Sequence, residues 1–244
     1  MKKIGIGILG LGTVGGGTYQ ILTQNHDSIL RKENLDLRVI KVLEKSIETA
    51  IQKGVPKDQI ASSIDEITSN PDINIVVEVI GGIEPAKTFI TKCLMSGKHV
   101  VTANKELVSK HWEELEEIAQ KHNAGLYFEA SCLGGVPIIR SIVEGMQANN
   151  IIELAGIFNG TTNYILTKMS EQDMSYSDAL KEAQQLGYAE ADPTSDVEGY
   201  DAMYKLKILS ALAFRKQIPL DCIYREGITK ITKTDIESGK ELGY

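Results

Sequence analysis

The chain has 244 residues, with 26 Lys plus Arg against 33 Asp plus Glu, and so a formal net charge of −7. Apolar residues make up 42% and charged residues 24%, enough apolar surface to build a core, which argues against a disordered chain. The acidic balance argues against sequence-independent nucleic-acid binding, which needs a basic face, and an anionic membrane surface would repel it.

In chain order, Met1-Lys2-Lys3 precedes an apolar run too rich in glycine, and lacking a small-residue cleavage site, to read as a secretory signal. No stretch reaches the roughly 18 apolar residues that span a bilayer. Short Ile- and Val-rich runs at 3–9, 37–43, 73–80, 99–102 and 126–129 read as buried strands, because parallel strands covered on both faces are continuously apolar. Helical patterns at 14–31, 84–96 and 106–122 separate them. Pro85 stands near the first turn of the second and Gly97 just past its end. Leu107, Trp112, Leu115, Ile118 and Ala119 line one face of the third. This alternation predicts an α/β fold, a Rossmann-like doubly wound parallel sheet.

The pattern changes near residue 130. Residues 131–137 read as a turn entering a helix over 138–148, and 151–158 as a strand leading into Asn159-Gly160-Thr161-Thr162-Asn163. Ser175 with Asp178 marks a helix start and Gly187 a stop. A helix over 201–215 carries Met203, Leu206, Leu209, Ala213 and Phe214 largely on one side. The expectation is two domains, 1–130 and 131–244, the second α+β. Cys93, Cys132 and Cys222 form no CxxC pair, and with the four histidines they make no zinc spacing. So sparse a set of thiols fits a reducing compartment, and a cytoplasmic location is expected.

Gly10-Leu11-Gly12-Thr13-Val14-Gly15 is a GxGxxG sequence lying between a strand and a helix, the context its mechanism requires. Gly10 permits the tight turn, Gly12 lets backbone approach a pyrophosphate, and Gly15 lets helix and strand pack closely. The helix N-terminus at Thr13 and Val14 offers N–H groups to phosphates. Dinucleotide-binding folds that take NAD place an acid about 20 residues beyond the glycines. Here Glu44 and Lys45 follow the second strand somewhat later. Glu44 suits a ribose hydroxyl, Lys45 suits a 2′-phosphate, and both suit a solvated loop, so NAD versus NADP stays open.

Lys105 sits just after a strand, where ligands bind in doubly wound sheets, although a surface lysine is the plainer reading of its position. Glu190, Asp192, Asp196, Glu198 and Asp201 place five carboxylates in twelve residues. Such a cluster is solvated or meets a cation such as an ammonium group. Asp201 and Lys205, four apart, share a helix face. As an exposed pair they contribute a few tenths of a kcal/mol. Beside Met203, Leu206 and Leu209 they suggest a pocket wall in which a lysine acts as general acid or base.

Several of these segments together resemble homoserine dehydrogenases. They are ILGLGTVGGG at 8–17, VEVIGGIEPA at 77–86, VTANKELV at 101–108, EASCLGGVPII at 129–139, NGTTNYIL at 159–166 and LGYAEADPTSDVEGYDAMYKLKIL at 186–209. The resemblance implies NAD(P)-dependent interconversion of L-homoserine and L-aspartate 4-semialdehyde, on the route to threonine and methionine, by a homodimer. It implies that Lys205 gives a proton to the aldehyde oxygen. Asp201 and Glu190 hold the substrate, Glu190 at its ammonium group, with Thr161 and Asp196 in the same subsite. Lys105 stands at the cofactor–substrate junction, and the backbone at Gly187 comes close to the ligand on the cofactor side. It further implies a monovalent cation, sodium, held largely by the carbonyls of Glu129, Cys132, Gly134 and Val136.

Two departures accompany the resemblance. LEKS follows the second strand where the family more often shows a basic residue nearby. The chain ends at Tyr244 where family members continue, so the second domain is expected to be incomplete, with no regulatory module. Two rivals are set beside this reading. In one, Cys132 is the nucleophile of a semialdehyde dehydrogenase, which needs a nearby base. In the other, the chain is a nucleotide-binding fragment without turnover.

Overall fold

In a computed structural model, which describes residues 2–243, the chain folds as two units, Met1–Gly134 and Gly135–Tyr244. The first unit is built on β1 (Lys2–Leu9), α1 (Thr13–Gln24), α2 (His26–Glu33), β2 (Leu35–Leu43), α3 (Ile47–Gln52), β3 (Ile60–Ala61), α4 (Asp65–Thr68), β4 (Ile73–Glu78), α5 (Ala86–Met95), β5 (His99–Thr102), α6 (Lys105–Lys121) and β6 (Leu126–Tyr127). Its sheet runs β3-β2-β1-β4-β5-β6 with every pairing parallel, the doubly wound topology expected. Ile6 and Ile8 of the central strand pack with Leu11, Tyr19, Val39, Val42 and Val55 in one buried cluster. Pairing in register sets Leu43, Leu9, Glu78 and Thr102 in one row across the carboxyl edge of the sheet.

Several boundaries differ from the sequence reading. The helix expected over 14–31 breaks at Asn25, whose ψ of 8° ends α1 before His26 opens α2. Asparagine is a weak helix former with a side chain that competes for backbone. The strand at 73–80 stops at Glu78, and that at 126–129 shortens to β6 before a 3₁₀ turn at Glu129–Ser131. Pro85 is the N-cap of α5 rather than a first-turn residue. Gly97 follows that helix at φ +74°, left-handed as its position suggested. The short elements α3, β3 and α4 add to those expected from the sequence.

At the opposite edge of the sheet, buried Asp36 accepts from His26 Nε2 and Arg38 Nε at 2.8 Å each. Hydrogen bonds to Asp36 and then Asp27 raise the His26 pKa above its ordinary 6.5, against burial and the Arg38 charge. Arg38 first and His26 second lower the Asp36 pKa below 3.8. A raised histidine stabilises the fold fully below its unfolded value, and that contribution disappears as pH rises through the folded one. The lowered aspartate contributes above its unfolded value and ceases to as pH falls through its folded one. The thermal midpoint of wild type over His26→Ala is therefore expected to be highest between about pH 4 and 6.5 and to converge on the variant above. A gap that widens with rising pH would refute the assignment.

The second unit contains α7 (Ile138–Arg140), a π turn at Ser141–Gly145, α8 (Gly160–Glu171), α9 (Tyr176–Gln185), α10 (Thr194–Val197), α11 (Tyr200–Phe214) and α12 (Lys233–Glu241). Ser175 caps α9 by accepting from Asp178 N, and Gly187 follows at φ +78°, as the sequence indicated. The helix expected over 138–148 ends early, at Gly145, ahead of a polar Asn149-Asn150 stretch. The strand expected over 151–158 is not formed. A strand needs a partner, and among the described residues this unit has no other strand. Ile152 and Ile157 are left 88% and 75% exposed.

The face of α11 also differs from expectation. Asp201, Tyr204, Ile208 and Ala211 are buried, with Leu209 and Ser210, whereas Met203, Leu206, Ala213 and Phe214 are half-buried. Apolar residues surround most of this helix, so its sequence does not single out one stripe. No helix among the described residues is long and apolar enough to cross a membrane.

Candidate functional site

The glycine motif closes the carboxyl end of β1. Gly10 N donates to Leu43 O and Val79 N to Leu9 O, both at 2.9 Å, so the turn is anchored on the strands to either side. The strand order reverses between β1 and β4, and crevices for ligands open at such a switch point. Gly10 has φ +93°, and a Cβ there would stand 3.0 Å from Val79 O. A Cβ on Gly15 would come 2.0 Å from Gly10 O. Gly12 is different, since a Cβ there would meet nothing within 4 Å. Packing within the protein therefore explains glycine at 10 and 15, whereas the space beside Gly12 suits close approach of a ligand. Gly12 is the N-cap of α1, gives it no side-chain cap, and no acid stands in the first turn. Thr13 and Val14 are exposed. An uncapped helix start of this kind attracts anions, so the residues present fit a dinucleotide.

Glu44 follows the second strand beside this loop. Its Oε2 accepts from Leu11 N at 2.6 Å and its Oε1 from Ser46 N at 3.4 Å. The carboxylate thus braces the glycine turn, while Lys45 is exposed.

Further along the same edge, the Glu78 carboxylate is completely buried. Oε1 accepts from Ile80 N at 2.8 Å and Oε2 from the Thr102 hydroxyl at 2.7 Å. Thr102 Oγ1 accepts from Asn104 N at 3.0 Å. Asn104 donates from Nδ2 to Gly82 O and caps α6 by accepting from Leu107 N. This chain of bonds ties the loop after β4 to the start of α6, whose first residue is Lys105.

The second unit gathers its charges around Asn159. Lys205 Nζ donates to Asp201 Oδ2 at 2.7 Å and to Phe158 O at 2.8 Å. An ammonium group has three N–H bonds, so one remains for another acceptor. Asp201 is 3% exposed and the Lys205 side chain 16%, so the pair is not a solvated surface pair. Asn159 Nδ2 donates to Asp201 Oδ2 at 2.8 Å and to Asp196 Oδ1 at 2.7 Å. Its Oδ1 accepts from Thr162 N at 2.8 Å, capping α8. Buried Thr161 donates its hydroxyl to Tyr188 O at 2.7 Å, holding the loop that follows Gly187 against α8.

The acidic segment divides sharply by surroundings. Asp192 accepts from Thr194, whose hydroxyl and N–H hold its carboxyl below the ordinary value. Glu198 accepts from the Thr229 hydroxyl. Asp196 and Asp201 share the Asn159 amide. Glu190 is exposed, and its carboxylate has no hydrogen-bond partner among the described residues. It is the carboxylate of the five most available to an outside cation.

Comparison with known proteins matches a family model to each of two stretches of the chain. The family described as "Homoserine dehydrogenase, NAD binding domain" matches residues 10–129, and "Homoserine dehydrogenase" matches residues 137–244. A solved structure titled as a putative homoserine dehydrogenase from Archaeoglobus fulgidus is 31% identical, with a TM-score of 0.86, and the chain covers 78% of it. The chain belongs to the homoserine dehydrogenase family. It is 44% identical to the Bacillus subtilis homoserine dehydrogenase over 244 residues, 56% of that protein's length. It also superposes on a homoserine dehydrogenase from Thiobacillus denitrificans with a TM-score of 0.93 at 46% identity, covering 56% of that chain. The chain therefore spans about half the length of the curated relatives it matches.

Within this family member, Gly10, Gly12, Thr13, Val14, Gly15 and Lys105 lie in the first unit, at the carboxyl edge of its sheet. Thr161, Gly187, Glu190, Asp196, Asp201 and Lys205 lie in the second. The left-handed backbone at Gly187 accounts for glycine there without a ligand. Glu129, Cys132 and Gly134 belong to the first unit and Val136 to the second. Among the described residues no three His, Cys, Asp or Glu side chains are grouped to hold a metal ion. Cys132 is fully buried, which removes the access that a thiolate nucleophile needs. Sequence reasoning missed Asn159, Glu78 and Thr102. The Asn159-Gly160-Thr161 start, an N-cap signal, was there to be read, but its second pair of bonds spans 37 and 42 residues.

Proposed function

We propose that the protein interconverts L-homoserine and L-aspartate 4-semialdehyde with NAD(P), in the synthesis of threonine and methionine. The observation that carries the reading is Lys205, an ammonium group fixed by Asp201 and the Phe158 carbonyl with one N–H uncommitted. Bound on the glycine loop of residues 10–15, the reduced nicotinamide nucleotide supplies hydride to the aldehyde carbon. Lys205 gives its free N–H to the aldehyde oxygen as negative charge develops there. Asp201 holds the lysine in place and regains a positive partner when the proton returns. Glu190 takes the substrate ammonium group, and Asp196 and Thr161 complete the subsite. Lys105, at the start of α6, adds positive charge on the nucleotide side.

The first unit is read as the NAD(P)-binding domain and the second as the substrate and dimerisation domain. A relative titled as a hyperthermophilic archaeal homoserine dehydrogenase was solved with NADPH, at 30% identity and 75% coverage of that chain. The homodimer accords with the exposed Ile152 and Ile157, and a cytoplasmic location accords with three free cysteines. A sodium ion on the carbonyls of residues 129–136 completes the proposal.

The deciding experiment follows nicotinamide absorbance with purified protein, L-aspartate 4-semialdehyde, and NADH or NADPH in parallel. Substrate-dependent oxidation is expected, and the better nucleotide fixes the preference that Glu44 and Lys45 leave open. Nucleotide binding with no oxidation would overturn the enzyme reading in favour of a binding fragment.

A further inference from the structure

We infer that Asn159 is a positioning residue for proton transfer by Lys205, an inference that rests on the reaction proposed above. Every hydrogen-bonding group of its side chain is committed. Both N–H bonds of Nδ2 go to carboxylates, Asp201 at 2.8 Å and Asp196 at 2.7 Å, and Oδ1 caps α8 through Thr162. Two carboxylates drawn together repel unless a donor stands between them. A neutral amide does this without adding a cation, so the charge of Asp201 stays available to Lys205. The same oxygen, Asp201 Oδ2, receives Asn159 and Lys205 Nζ. The amide thus holds the very oxygen that meets the ammonium. Lys205 is further aligned by the carbonyl of Phe158, the residue preceding Asn159. One short segment, Phe158-Asn159, therefore fixes both the lysine and the carboxylate that orients it.

Capping and bridging are separable by substitution. Serine is as good an N-cap as asparagine, but a single short hydroxyl does not span two carboxylates. Aspartate also caps well, yet it puts a third negative charge where the amide donated. Asn159→Ser is expected to lower kcat about 100-fold, the cost of a misplacement of about 1 Å. The KM for the nicotinamide nucleotide should stay at its wild-type value, while the thermal midpoint falls modestly, since the cap is kept and the donor to two carboxylates is lost. Asn159→Asp should be slower still. In a Lys205→Ala background, Asn159→Ser should lower the residual rate no further, because the residue acts through that lysine. A kcat within about twofold of wild type for Asn159→Ser would overturn the inference, as would an equal loss in both backgrounds. If wild type itself turns nothing over, the reaction reading falls and the inference with it. Wild-type turnover with an indifferent Asn159 overturns the inference alone.

Discussion

Replacing Lys205 by alanine is expected to lower the rate of aldehyde reduction by about 1,000-fold, within the range for loss of a general acid. The KM for the nicotinamide nucleotide should be unchanged, since the role proposed for the lysine is at the aldehyde oxygen and not at the nucleotide. The loss of stability should exceed that of an ordinary ion pair, because Asp201 is buried and Lys205 nearly so. Removing the ammonium breaks an ion pair to a buried carboxylate, which is destabilising. Lys205→Arg separates chemistry from folding. It keeps the positive charge beside Asp201, but a guanidinium does not release its proton at neutral pH. Arginine should therefore restore the thermal midpoint toward wild type without restoring the rate. Should Lys205→Arg reduce the aldehyde at more than about a tenth of the wild-type rate, the proton donor lies elsewhere.

Gly15→Ala is expected to disrupt the turn after β1. The added Cβ would stand 2.0 Å from Gly10 O and 3.0 Å from Val79 Cγ2, so α1 and the turn after β1 must separate. Overpacking against backbone costs about 3 kcal/mol, which in a chain of this size lowers the thermal midpoint by about 10 °C. The same displacement should abolish measurable nucleotide binding by titration. Gly12→Ala makes the contrast. Its Cβ would meet nothing within 4 Å, so stability should change by about 1 kcal/mol or less, while nucleotide affinity falls because the methyl occupies the ligand's side of the turn. Equal destabilisation by both substitutions would contradict the different roles assigned to the two glycines.

The first unit is largely legible in the amino-acid sequence, and the reason is local. Ile4, Ile6 and Ile8 set a buried strand, GxGxxG sets the turn after it, and Gly97 supplies the stop signal of α5. The second unit is less legible. The run over 151–158 has the composition of a strand but no partner strand among the described residues. The apolar α11 has several stripes, of which tertiary packing selects the one through Asp201 and Tyr204. The acidic segment reads as five equivalent charges, yet its members differ by which donors reach them.

By itself the sequence determined the alternation of strands and helices, the nucleotide turn, the Asp201–Lys205 spacing and the family. Those are properties of composition, short-range sterics and helix period, which act over a few residues. Only the tertiary structure decided that Glu44 braces the glycine turn, that Glu78 joins two strand ends to the start of α6, and that Asn159 holds Asp201 and Asp196 together. Each of those bonds links residues 24 to 42 apart in the chain. A polar side chain reads the same in sequence whether it is solvated or buried, and burial with its particular donors gives each one a role.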